Sequence, residues 1–318
     1  MENKKTNKRA MRVKLIFNPT AGPKGESPLQ LMDITKEMQA WNLIPETFLI
    51  EPDCDLDKVV DEAIAHGIKL IAVCGGDGTV ESVARALLGK PAILGIIPGG
   101  TANNVALSLN IPKDIPSAIA ILREGHAAKI DIGMATIGKV VTPLIEVCSV
   151  GLFSTLYASA DDIQHGDLGK VGDFVTKVFA TPPSEIHFTL DNKKEVQKFG
   201  HIVLITNMPY IGPNLQVGDL DSCQDGLLDV LFFADLNKLD ILSSIVRGIG
   251  LDTAADPRIQ RYKARHIRIE TVPPMPILID NMQIGEGSVE IEVKRHALTV
   301  MTGTKTDKPL KGIPSIEK

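Results

Sequence analysis

The sequence predicts an α/β N-terminal domain built on a parallel, Rossmann-like sheet, followed by a β-rich C-terminal sandwich domain. Three observations carry this. Between Val13 and Asp131, short runs that are apolar throughout alternate with segments of helical spacing, the pattern of a parallel sheet covered on both faces. After about Gly133 the texture changes to short strand-like segments parted by turn residues, as in an antiparallel sandwich or barrel. At 318 residues, 44% hydrophobic and 23% charged, the chain is long and apolar enough for two cores. The expected boundaries are 1–133 for the first domain and 134–302 for the second, with 303–318 returning to the first.

The elements follow in order. "VKLIFNP" is a short strand stopped by Asn18-Pro19, and "SPLQLMDITKEMQAWNL" has helical spacing, with Ser27 and Pro28 as start signals. "ETFLIEP" is a strand, and "DLDKVVDEAIAHG" a helix with acidic entry and glycine exit. "IKLIAVC" is an apolar strand, "TVESVARALLG" a helix, "PAILGIIPGG" a strand, and "TANNVALSLNIP" and "IPSAIAILREG" are helical. In the second half "VVTPLIEVCSVGLF", "EIHFTLD", "FGHIVLITNM", "GLLDVLFFA", "HIRIET", "PILID", "SVEIEV" and "ALTVMT" are strand-like; "DLGKVGDFVTKVF" and "LDILSSIVRGI" are helical.

Composition narrows the function classes. A net charge of −5 gives no global attraction for nucleic acid. Cys54, Cys74, Cys148 and Cys223 lie far apart without a CxxC pair, and the histidines lack metal spacing, so buried thiols of a cytoplasmic protein are expected rather than disulfides or zinc. No apolar run reaches the roughly 18 residues of a membrane span. Lys4, Lys5, Lys8, Arg9, Arg12 and Lys14 make the N-terminal segment basic, a solvated tail or a foothold on anionic lipid.

Two glycine clusters fall where the strands of an open α/β sheet end, the place where such sheets bind ligands: "GGDGT" after "IKLIAVC", and "PGGTANN" after "AILGII". Glycine lets backbone approach a phosphate closely, and the helix N-termini that follow offer N–H groups and a positive dipole end. Thr79, Thr101, Asn103 and Asn104 add side-chain donors at the same rim. Asp77 would repel a phosphate, but makes sense facing a cation that the phosphates also hold. The stretch therefore points to a Mg²⁺–nucleoside triphosphate. Neither a GxGxxG dinucleotide fingerprint nor a GxxxxGK[ST] loop is present.

Together "VCGGDGTVESVARAL", "LGIIPGGTANNVALSLNIP", "KIDIGMA", "SVGLF", "LGKVGDF" and "SCQDGLLDVLFF" resemble the diacylglycerol kinase catalytic family, notably its bacterial lipid kinase branch, within a group that also holds the sphingosine kinases. The resemblance runs in order from Asn18-Pro19 to about Thr302. It implies transfer of the γ-phosphoryl group of ATP to a lipid hydroxyl, in a cleft between the two domains. By position, Asn18, Gly75, Gly76, Asp77, Gly78, Thr79, Val80, Glu81, Gly100, Thr101, Asn103 and Asn104 would bind ATP. Asp77 would serve the catalytic Mg²⁺ or the reacting hydroxyl. Asp225, the carbonyls of Ser222 and Leu227, and Asp131 would make the site of a structural Mg²⁺, Asp131 through a network that ties the domains. The substrate would be a diacylglycerol-like lipid presented at the inner membrane face, with Phe153, Leu156 and Phe174 as candidates for its acyl chains. Edge strands in the second domain would allow a homodimer.

The chain departs from the family at one position that matters. The family's Asp-Gly-Glu, whose glutamate accepts the hydroxyl proton, is here Asp280-Asn281-Met282. A thioether cannot accept a proton at neutral pH. Glu286, between Gly285 and Gly287, is a substitute base if it swings inward, and Asp77 is another. A second reading follows: a nucleotide-binding pseudo-kinase with weak or lost transfer. A third keeps a soluble acceptor, because NAD kinases share the GGDGT turn, although "PGGTANN" and the strand-rich second half favour the lipid branch.

Overall fold

The architecture is that of a computed structural model, which describes residues 9–21, 27–152, 154, 182–211, 215–233 and 258–303. The two helices expected over 167–179 and 239–249, the acyl-chain candidates Phe153, Leu156 and Phe174, and residues 1–8 lie outside the described residues.

The first half is the expected α/β unit. Strands β1 (Met11–Phe17), β2 (Leu43–Leu49), β3 (Leu70–Gly75) and β4 (Ile93–Pro98) run parallel in the order β2-β1-β3-β4. Helices α1 (Ser27–Ala40) and α5 (Ile115–Glu124) cover one face through Ile34, Met38, Ile119 and Leu122. On the other face α2 (Leu56–Ala65) and α3 (Asp77–Leu87) pack through Val60, Ala63, Val83 and Ala84. Every residue of β3 is buried, as its uninterrupted apolar run requires. Asp55 caps α2 and Asp114 caps α5, each accepting the third following N–H, at Lys58 and Ser117. The stretch read as a long helix after the second glycine cluster yields only α4 (Asn104–Ser108). Arg12 and Lys14 belong to β1, where Arg12 pairs with Glu46 and Lys14 lies over the Phe48 ring.

The second half stacks two antiparallel layers. One holds the six strands β14 (Ile259–Ala264), β13 (Leu228–Phe233), β10 (Ile202–Thr206), β7 (Val147–Gly151), β16 (Pro276–Ile279) and β17 (Met282–Glu286), in that order. The other, with β9 (Lys194–Gly200), β8 (Ser184–Leu190) and β15 (His266–Val272), continues the parallel sheet through β18 (Ser288–Thr302). Phe188 and Phe232 meet between the layers with ring centroids 5.7 Å apart and are each 1% exposed or less, a burial worth about 1.5–3 kcal/mol per side chain.

Two departures from the expected elements shape the junction of the halves. "SVEIEV" and "ALTVMT" form the single strand β18, whose partner over most of its length is β5 (His126–Ile137). Its last turns also touch β4, where Val300 pairs with Leu94, and its first half pairs with β15. The strands β5 and β18 thus run through both halves of the molecule, and Gly133 lies within β5. "VVTPLIEVCSVGLF" instead divides into β6 (Val140–Leu144), paired with β5, and β7 in the opposite layer. The break falls at Ile145-Glu146 because Asp280 captures the N–H groups of Ile145, Glu146 and Val147 with its carboxylate.

Candidate functional site

Both glycine bends sit at the carboxyl ends of adjacent parallel strands, β3 and β4, and they touch. The Gly99 N–H donates to the Gly75 carbonyl at 2.9 Å. A Cβ on Gly100 would lie 2.5 Å from the Gly76 Cα, so the two backbones approach in a way no side chain permits. At the end of β1, the Asn18 N–H bonds the Cys74 carbonyl and its side chain donates to the Thr79 hydroxyl at 2.8 Å. Asn18, Gly76 to Thr79, and Gly100 to Thr101 make a partly or fully exposed rim, at the end of the sheet where open α/β folds bind ligands.

Other residues of the two bends turn inward. Val80 is core, 3% exposed. Asn103 adopts a left-handed conformation and closes its amide on Gly100, accepting its N–H and donating to its carbonyl. Asn104 donates to Glu146 at 2.9 Å, and its Oδ1 is buried with no partner among the described residues. These two asparagines therefore brace the bend instead of lining the rim. The free N–H groups expected at the second helix are not free either: Asp77 accepts the Val105 N–H at 3.2 Å. Burial raises the Asp77 carboxyl, against the pull of N–H groups from Val105, Asn103 and Asn104.

From Asp77 one stripe of α3 faces the second half, because residues four apart share a helix face. Asp77 is followed on it by Glu81 and then Arg85. Arg85 forms an ion pair with Asp280, and Glu81 accepts a hydrogen bond from Asn281 at 3.1 Å. Asp280 and Asn281 are the two-residue turn between β16 and β17, with Asp280 left-handed at φ 49°. Glu146, at the break between β6 and β7, completes the group. Four carboxyl groups, of which Glu81, Glu146 and Asp280 are buried, thus lie near one another at the junction of the halves, with the Arg85 guanidinium paired to Asp280. Burial, and then the charge of Asp280, push Glu81 up to about 8. Glu146 is raised well above the carboxylate range by burial, then by Asp77, Glu81 and Asp280. Burial raises Asp280 too, against Arg85 and three backbone N–H groups.

This charge crowding has a measurable consequence. The folded chain holds the Glu81 proton up to about pH 8, whereas an unfolded glutamate releases it near 4.5. Folded stability from this group is therefore complete below the unfolded value and is lost as pH rises through about 8. Glu81→Gln keeps an oxygen for Asn281 and should flatten that decline, adding roughly 1–3 kcal/mol at the alkaline end. Urea unfolding across the range reads it; an unchanged slope would assign the decline to Glu146.

Three expected site groups lie apart from the bends. Glu286 is exposed and pairs with Pro276 at the end of the β16–β17 hairpin remote from Asp280, where Met282 pairs with Ile279. Strand rise puts it roughly 13 Å along from position 282, so it does not swing into the cluster. Asp131 is fully buried and spends its carboxylate on the N–H groups of Gly226 and His296, tying β5 to β18 and to the 222–228 turn. In that turn Asp225 accepts the Leu227 N–H and meets the Lys263 ammonium at 3.0 Å, while Ser222 donates to Asp229. Of the groups expected to hold a structural Mg²⁺, the Asp225 carboxylate thus meets the Lys263 ammonium. Among the described residues no group of three or more His, Cys, Asp or Glu side chains is arranged to hold a metal.

Comparison with known proteins gives this geometry its relatives. Residues 12–135 match the diacylglycerol kinase catalytic domain, and residues 166–302 match the YegS C-terminal NAD kinase beta sandwich-like domain. A diacylglycerol kinase of Staphylococcus aureus (strain bovine RF122 / ET3-1) is 32% identical over 124 residues, 38% of this chain and 39% of that one. An uncharacterized protein of Synechocystis sp. (strain ATCC 27184 / PCC 6803 / Kazusa) is 25% identical over 303 residues, 90% of this chain and 69% of the relative. The crystal structure of a diacylglycerol kinase from Bacillus anthracis str. Sterne superposes with a TM-score of 0.71 at 24% identity, covering 92% of this chain and 97% of its own. That likeness shows the shared fold: residues 12–135 carry a diacylglycerol kinase catalytic domain and residues 166–302 a YegS C-terminal-like sandwich domain, in this order along one chain.

Proposed function

We propose that this chain transfers the γ-phosphoryl group of ATP to a hydroxyl of a diacylglycerol-like lipid. The observation that carries the reading is the pair of glycine bends pinned side by side, with Asp77 at their junction, facing the acidic turn of the second half. Gly76, Gly78 and Gly100 would let the triphosphate lie against backbone, and the α3 N-terminus would supply N–H groups and its dipole. Thr101 and Thr79 stand at the same rim. In the transfer, the bond from the γ-phosphorus to the bridging oxygen breaks, a bond to the lipid oxygen forms, and the hydroxyl proton passes to a carboxylate.

The residues fit a nucleotide-borne Mg²⁺. Asp77 stands half-exposed at the bends, and the orphaned Asn104 Oδ1 is a buried acceptor on the residue before Val105, whose N–H Asp77 holds. Asp77 would hold the ion, whose part is to neutralise charge building on the phosphates. Asp77 itself keeps one oxygen on the Val105 N–H, which orients it. The side chain of Arg85 is committed to Asp280 and so aligns α3 against the β16–β17 turn.

One observation favours a second reading, a nucleotide-binding protein with weak or lost transfer: position 282 presents a thioether, 38% exposed, where the family places its proton acceptor. Transfer from labelled ATP to a panel of lipids and to NAD separates the readings. The natural chain should label a lipid, and Asp77→Asn, which preserves the hydrogen bond from Val105, should lower transfer more than about tenfold. ATP binding without transfer supports the second reading. Labelling of NAD but not lipid would reassign the acceptor, and absence of ATP binding sinks both.

A further inference from the structure

We infer that the acidic turn between residues 219 and 229 is closed by the ammonium of Lys263 and takes no metal ion. This inference stands apart from the kinase reading, since it concerns how the second half is held together.

Strand pairing delivers the lysine. On β14 Lys263 lies directly opposite Asp229 of β13, and cross-strand partners on one face are in side-chain reach. Its Nζ stands 2.9 Å from Asp219, 3.0 Å from Asp225 and 3.7 Å from Asp229. An ammonium carries three donors, so it can serve all of these carboxylates at once. The second oxygens of Asp225 and Asp229 are engaged within the turn: Asp225 Oδ1 accepts the Leu227 N–H at 2.8 Å, and Asp229 Oδ2 accepts from the Ser222 hydroxyl at 2.8 Å. The Ser222 hydroxyl lies within reach of the Asp219 carbonyl as well, at 2.7 Å.

Electrostatics agree with the geometry. Burial works against the charged Lys263, but the hydrogen bonds it donates to Asp219 and Asp225 outweigh it and raise its pKa. Asp219 is lowered by the same lysine, first through the hydrogen bond and then through its charge. Burial leaves Asp229 raised even so, because Asp225 and Asp219 add like charge. Mg²⁺ requires oxygens at about 2.0–2.1 Å in an octahedron. Entering at Asp225, it would have to displace the ammonium already on that carboxylate.

Thermal unfolding of the full chain without nucleotide tests this, in EDTA and in excess Mg²⁺, with Mn²⁺ binding followed by electron paramagnetic resonance. The natural chain should melt at the same temperature in both buffers and leave Mn²⁺ free at this turn. Lys263→Met should melt about 4 °C lower in EDTA and regain the loss in Mg²⁺; Lys263→Arg should behave as the natural chain. A natural chain that melts lower in EDTA, or a Lys263→Met chain that Mg²⁺ does not rescue, overturns the inference. Should Lys263→Met fail to fold, the natural chain and Asp225→Asn decide alone. Mn²⁺ bound by the first and lost in the second overturns it, and no difference between them upholds it.

Discussion

Met282→Glu is expected to raise phosphoryl transfer by roughly 10²–10⁴-fold, the range a positioned general base contributes. The site is prepared for it. Position 282 opens β17 beside the Asp280-Asn281 turn, and Asn281 already reaches Glu81 on α3. With 38% of its surface exposed, the methionine packs too little to be missed, so the change should not harm folding. Nearby Asp280 and Glu81 would hold the new carboxyl's pKa upward, toward the neutral range where a base is effective. Steady-state transfer at saturating ATP measures it, for the natural chain and the variant side by side. A transfer rate that does not rise, in a natural chain that does transfer, would show that another carboxylate, Asp77 first, takes the proton.

Arg85→Ala should destabilise the chain by about 3–5 kcal/mol, the usual result of removing one partner of a buried pair. Asp280 has no exposed side-chain surface and Arg85 only 17%. Without the guanidinium, Asp280 is left as a buried charge beside Glu81 and Glu146, and its relief is to take up a proton. The Arg85 Nε also donates to the Pro143 carbonyl, so the same loss loosens the approach of β6 to α3. Adding Asp280→Asn to Arg85→Ala removes the uncompensated charge while the amide oxygen can still accept N–H groups. The double variant should therefore recover part of the loss, a coupling that urea unfolding of the single and double variants reads. Equal losses in the single and double variants would show that Arg85 acts through packing alone.

Much of this was legible in the residues. Apolar runs placed β1, β3 and β4, and acidic caps placed α2 and α5, because local chemistry decides those elements. The glycine bends declared their position through spacing alone. What escaped was set by partners far off in the chain. The division of "VVTPLIEVCSVGLF" depends on a carboxylate from Asp280, more than a hundred residues on, and no local pattern announces that. Glu146 had a signal, a lone carboxylate in a run otherwise apolar, which burial tolerates only for a reason. Arg85 had one too, sharing the stripe of Asp77 and Glu81. Lys263 had none: "IQRYKA" shows alternation, but nothing local says that β14 lies beside β13 and faces three aspartates.

The strands β5 and β18 bear on how the two halves can move. Domains joined by a flexible tether can yawn and clamp around what they bind. Here the two halves are opposite stretches of one β5–β18 ladder, whose register shifts between Lys294 and Leu298. A change in the angle between them must bend that ladder or break its hydrogen bonds, and the irregularity is where a strand bends most readily.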